Sequence, residues 1–219
     1  MESQVRGGTR WKRFAVVMVP SVAATAAIGV ALAQGALAAS FSVSGQEFKV
    51  SADKLVGHGF TQYGAVDTGK SLDGSEDQAH PVAVSAFKTA EITNMCQSVV
   101  TPIPFLNRKV TLRLTAGDKG TDVSAERLYI DVANLKADEA TFSEMDIGVA
   151  AGSATKGPRP NPEEYKQKKA SPFGFAQQAD TAVLTKVEQT AWATTAGTFK
   201  LSNLHMGLHW DSGKGIECY

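Results

Sequence analysis

This chain of 219 residues is poor in the residues that usually carry chemistry. It has four histidines and two cysteines. Neither cysteine has a partner at zinc spacing, so no structural zinc site is expected. His205 and His209 share one face of a strand-like segment, where four residues span about 13 Å. One metal ion cannot be ligated by both. No Gly-x-Ser-x-Gly pentapeptide occurs, which removes the usual sign of an α/β-hydrolase nucleophile. No glycine-rich phosphate loop is present, and no cofactor is expected. No convincing amphipathic helix of a dozen residues follows position 40, which excludes helical bundles and alternating α/β folds. There is no excess of positive charge either, with 22 Lys and Arg against 22 Asp and Glu. A nucleic-acid partner is therefore not expected.

What the chain does have begins at its start. Arg6, Arg10, Lys12 and Arg13 precede an apolar run from Phe14 to Leu37, which ends in Ala36-Leu37-Ala38-Ala39-Ser40. A charged start, an apolar middle and a small-x-small end make an export signal. The run is also long enough to be a membrane anchor, which takes about 20 apolar residues. Residues 1–38 read as one or the other. Both send residues 39–219 to the outer face of the cytoplasmic membrane or beyond it. Four of the basic residues and one acidic residue lie in the first 38. The exported part then holds 18 against 21, a net of −3. In an oxidising compartment the only available pair, Cys96 and Cys218, is expected to form a disulfide; the alternative is two free thiols.

The exported part reads as strands. In Leu204-His205-Met206-Gly207-Leu208-His209-Trp210 the apolar residues fall on one face with a period of two, as in a half-buried strand. Val110–Thr115, Leu128–Ala133 and Phe48–Asp53 alternate in the same way. Gly and Asp punctuate them at Ala116–Gly120, Asp211–Gly215 and Asp67–Lys70. Similar segments start at Phe48, Phe87, Phe142 and Phe199 without a fixed period. The expectation is an all-β fold, a β-sandwich or layered sheet, preceded by one N-terminal hydrophobic helix. A β-helix-like stack is the alternative.

Four of the eight prolines fall between Gly157 and Pro172, so residues 156–175 read as a surface loop in one exported domain. A short helix fits within Asn161–Lys169. Lys166, Lys168 and Lys169 lie close to Phe173 and Phe175, a pairing suited to contact with anionic headgroups. Those five residues are candidate membrane contacts. The paired acids Glu76-Asp77, Asp138-Glu139 and Glu163-Glu164 read as solvated surface.

The opening Gly7-Gly8-Thr9-Arg10-Trp11-Lys12-Arg13-Phe14, the Ala38–Gly45 entry to the exported part and the close from Gly207-Leu208 to Cys218 carry a resemblance. The chain resembles an uncharacterised family of actinobacterial exported proteins, some of whose members are labelled cholesterol esterase. The resemblance implies an envelope location and transfers no functional residue. The leading functional expectation is a non-catalytic envelope protein that binds a lipid, another apolar ligand or a protein partner at the membrane's outer face. A lipid (sterol) esterase and a structural surface protein are the alternatives.

Overall fold

The computed structural model describes residues 42–104 and 106–219. The expected signal or anchor at 1–38 lies outside the described residues. Among those described, no helix is long and apolar enough to cross a membrane. The chain forms β1 (Phe48–Lys70), β2 (Asp77–Thr93), β3 (Met95–Ile103), β4 (Arg108–Ala116) and β5 (Val123–Lys136). These are followed by β6 (Glu139–Ser143), β7 (Asp146–Ala150), the short helix α1 (Pro162–Lys166), β8 (Phe175–Thr195), β9 (Thr198–Lys200) and β10 (His205–Trp210). The all-β expectation holds. The strands do not divide into two packed sheets; they make one ten-stranded antiparallel sheet.

The ladder is built from two long hairpins. β1 runs against β2 and then β3 in a single register, from Lys70↔Asp77 to Lys49↔Ser98. β8 and β9 run against β5, β6 and β7 in a second register, from Ser124↔Lys200 to Asp146↔Gln178, with local bulges. β1 and β8 also pair with each other, so β1, β2, β5 and β8 close into a ring. The closure is not flat. Passing from Gly64 to Ala83, Val132, Ala191 and back to β1 arrives at Phe48, sixteen residues away from the start. The sheet therefore winds on itself with the stagger that barrel-like closure requires, neither as two facing sheets nor as a β-helix-like stack.

Two creases cross the strands and let the sheet turn. One passes through Lys186, Asp53 and Asn94; the other through Gly59, Lys88 and Arg127. The regular ladder skips these positions. Lys186, Asn94, Gly59 and Arg127 have positive φ, the backbone of a bulge that bends a strand. The first crease is clamped by side chains. Lys186 donates to Asp53 at 2.7 Å and Asn94 donates to the same carboxylate at 2.6 Å. The Lys186 hydrogen bond first, and the Asn94 bond second, hold the Asp53 carboxyl below its ordinary pKa.

Each crease reverses which alternate residues point inward. On β1 the core takes Phe48, Val50 and Ala52, then Leu55, then Phe60. On β8 it takes Ala179, then Ala182 and Leu184, then Val187 and Ala191. Phe60 lies at the centre, its ring 5.3 Å from both Phe87 and Phe142. Gly57 is required here, because a Cβ would collide with the Phe87 ring.

Candidate functional site

Two regions of the sheet depart from this pattern of apolar inside and polar outside. The first is a wing made by β3, β4 and β10. Only the start of β3 pairs with β1, at residues 96–98; β4 and β10 extend the sheet beyond the ring. Alternate residues of the wing continue the inward face. Met95 and Gln97 face the core side, and in register with them come Val99, then Leu114, Leu112 and Val110 of β4, then Met206, Leu208 and Trp210 of β10. Among the described residues, none encloses the far part of that face. Leu204, Met206, Leu208 and Trp210 are 50–71% exposed. The alternation in Leu204–Trp210 correctly marks a strand, but the apolar face expected to be buried is open. β10 is the edge of the sheet, and among the described residues no second layer covers its apolar side.

The opposite, polar face of the wing is the covered one. The segment after Trp210 folds back across it. Cys218 is bonded to Cys96, with Cα atoms 5.7 Å apart, so the expected disulfide is present. The Cys218 N–H donates to Ser98 Oγ at 3.1 Å, and Thr111 Oγ1 donates to the Asp211 carbonyl at 2.7 Å. Ser98 and Thr111 are fully buried by this cover. Lys49 pairs with Glu217 at 2.8 Å and, chiefly through that hydrogen bond, keeps the Glu217 carboxyl below its ordinary pKa. At the tip of the β3–β4 hairpin Leu106 is exposed. The Arg108 guanidinium lies 4.9 Å from the Trp210 ring centroid, paired with Asp211 at 3.1 Å. A narrow apolar cleft lined by Val50, Met95, Gln97, Val187 and Phe199 opens at the foot of the wing. The wing thus presents an apolar track that runs from the core to an aromatic and cationic rim.

The second region lies at the other end of β1. There the outer face of the sheet is roofed by the excursion 151–174, whose Ala151 and Ala170 pack with Tyr63, Val82, Val84, Tyr129 and Trp192. Local sequence explains α1. Asn161 caps it by accepting from the Glu163 N–H at 3.0 Å, and Pro162 occupies the first turn. The cap turns Glu164 inward, to 8% exposure, as the one buried residue of the helix. Glu164 was expected among solvated acids; the sheet beneath it corrects that. Tyr63 Oη donates to Glu164 Oε2 at 3.4 Å. Asp67 and Asp131 lie beside it, close enough for each to act on the other's acidity, and Asp67 Oδ2 is buried without a hydrogen-bond partner.

Burial is the main cause of the altered acidity. It raises Asp131 to about 8, with repulsion from Asp67 and Glu164 adding to it. It raises Glu164 to about 7 against the opposing hydrogen bonds from the Asn161 backbone and Tyr63. Asp67 is raised as well, again by burial. His80 pairs with Asp67 across β1 and β2 and stacks on Trp192 at 3.5 Å between centroids. Its Nε2 is buried without a hydrogen-bond partner. Among the described residues, no group of three His, Cys, Asp or Glu could hold a metal ion. The open groove beside the roof is lined by Ala65, Tyr165, Lys168 and Lys169 and reaches none of the three acids.

The candidate membrane contacts of the excursion separate in space. Lys166 is engaged by Glu163 at 2.6 Å. Lys169 lies near the acidic cluster and lowers the pKa values of Asp67, Asp131 and Glu164. Lys168 is exposed, Phe173 is 90% exposed and Phe175 is 63% exposed. Sequence patterning missed both the open side of the wing and the buried acids. The one local signal for the latter was Asp131 on a strand between Tyr129 and Val132, where the outer face already carries an aromatic residue.

No curated protein and no solved structure matches the chain. The model of a family of unknown function, DUF6230, matches residues 44–219 and so takes in all ten strands, the wing and the excursion; the chain belongs to that family.

Proposed function

We propose that this protein is a non-catalytic envelope protein that engages a lipid surface at the outer face of the membrane through its wing. The observation that carries this reading is the core-type face of β4 and β10 left open at Met206, Leu208 and Trp210. Water is the wrong solvent for such a face; contiguous exposed apolar patches mark interaction sites. Two further features favour lipid. Trp210, Leu106 and Arg108 gather at the rim, the mix of aromatic, aliphatic and cationic groups that suits a headgroup boundary. Lys109 follows Arg108 and is exposed. The chain enters this domain with Val43 docked on the end of β1, its N–H donating to the Thr68 carbonyl at 3.1 Å, and passes the wing at Gln46, whose Nε2 donates to Thr101 Oγ1 at 3.0 Å. The disulfide suits an oxidising, exported setting.

The excursion is a second, smaller contact in this proposal, through Phe173, Phe175 and Lys168. It has lost the other two lysines to contacts within the protein.

The test places a photoreactive residue at Leu208 of the full chain in growing cells. Lipid adducts are the expected product. The same residue at His209, on the other face, should give few. Adducts confined to other proteins, or to a second copy of this chain, would replace lipid with a protein partner.

A further inference from the structure

We infer that the excursion over the acidic cluster is a strap closed by protons, which lifts from the sheet as pH rises. This is independent of what the wing binds. The excursion is fastened to the sheet in two places. Its start is held away from the cluster: the Thr155 and Lys156 N–H groups donate to Gln178 Oε1 at 2.7 and 3.0 Å, and Lys156 pairs with Asp146 at 3.1 Å. Its later part, from α1 to Ala170, is the strap. There Val66 N–H donates to the Lys169 carbonyl at 2.8 Å, Ala65 and Ala170 form an isolated bridge, and Tyr63 donates to Glu164. These later contacts adjoin the carboxyl cluster.

The charges facing the cluster come from every element packed there. β1 supplies Tyr63 and Asp67, β2 supplies His80, and β5 supplies Tyr129 and Asp131. The excursion supplies Glu164, Tyr165 and Lys169. Arg159 and Arg127 lie further out, acting on Tyr165 and Tyr129. Three acids thus face one lysine and one imidazole. The fully ionised cluster carries more negative charge than its surroundings neutralise, and desolvation makes each charge costly. Protons remove the repulsion while the strap is down; water removes it when the strap is up.

The direction follows from linkage. Acids whose pKa is raised in the closed state hold protons there that they give up on opening. Closure is therefore strongest near and below the ordinary carboxyl range and weakens as pH climbs toward 8, where Asp131 ionises in place. Each proton released on opening multiplies the opening constant by up to about ten per pH unit within that window. Opening uncovers Tyr63, Val82, Val84 and the Trp192–His80 stack, an aromatic and apolar patch.

Amide hydrogen exchange of the full chain from pH 5 to 9, corrected for intrinsic exchange, tests this. Protection of the Val66, Lys169 and Ala170 amides should fall at least tenfold across the range, and they should exchange well ahead of amides around Phe87 and Leu128, whose protection follows overall stability. Asp67→Asn with Asp131→Asn and Glu164→Gln keeps the shapes and removes the titration of all three acids, so the strap amides should lose their pH slope. A flat wild-type profile would overturn the proposal, as would a slope that survives in the variant. If the variant does not fold, carbon NMR titration of the wild-type carboxyls decides. Ordinary carboxylate values for both Asp131 and Glu164 would refute the strap.

Discussion

Leu128 and Leu208 lie on the same side of one sheet. Leu128 is fully buried at the centre of the wound region, and Leu208 is 71% exposed on the wing. Their side chains are identical and both sit in strands of alternating residues. What differs is curvature. Between the creases the sheet turns back on itself and supplies its own second layer. Beyond the ring, among the described residues, no third crease brings another layer over β10. At the opposite end of β1 the outer face, which in the rest of the ring meets solvent, is roofed by the excursion and holds three acids. Enclosure is thus a property of the winding and of what folds over it, and residue type follows it only where the winding is complete.

Experiments that break this comparison differ in size. The largest effect is expected from removing the disulfide. Cys96→Ser with Cys218→Ser frees the cover of the wing's polar face and should lower unfolding free energy by about 3–5 kcal/mol in denaturant titration. Next is Leu128→Ala, expected to cost about 2–5 kcal/mol because its site is closed on all sides. Leu208→Ala should stay within about 0.5 kcal/mol of wild type. If the two leucine variants cost the same, the wing's face is covered in the native protein by something that the purified chain retains.

Acidity sharpens the other end of the comparison. Overall stability should fall as pH rises from about 4 toward 8, because Asp131 and Glu164 hold protons in the folded protein that the unfolded chain releases. Asp131→Asn should flatten that decline, read as unfolding midpoint against pH. The smallest effect is expected from Phe173→Ser with Phe175→Ser. Both rings are exposed, so unfolding should move by no more than about 0.5 kcal/mol. A larger loss would show that they help to hold the roof.

Much of the fold was legible from local pattern. Period-two alternation found the start of β1, and β4, β5 and β10; glycine and aspartate found the turns after β4 and β10, but Asp67–Lys70, expected as a turn, is the last stretch of β1; and the prolines found the excursion with its short helix. The disulfide followed from there being only two cysteines in a chain expected to be exported. The winding was not legible. Crease residues such as Lys186, Arg127 and Lys88 are ordinary surface types, and only their mutual register across strands marks them. The two regions of interest were missed for the same reason. Whether Leu208 meets a layer, or Glu164 meets a sheet, depends on segments far away in sequence. The pair Glu163-Glu164 shows it most simply: one turn of capped helix leaves the first acid in water with Lys166 and puts the second beneath the roof.

The alignment of the creases restricts how this chain can change in length. A residue inserted into β1 between Asp53 and Gly59 would push Gly59 out of line with Lys88 on one side and would shift the register against β8 on the other. Compensation would need matching insertions in two neighbouring strands, and through them in β5. Single insertions and deletions should therefore survive only where no crease is interrupted: in the turn at 71–76, at the tip of the β3–β4 hairpin, in 117–122 and in the excursion. Relatives of different length should differ at those places and share the spacing from Asp53 to Gly59.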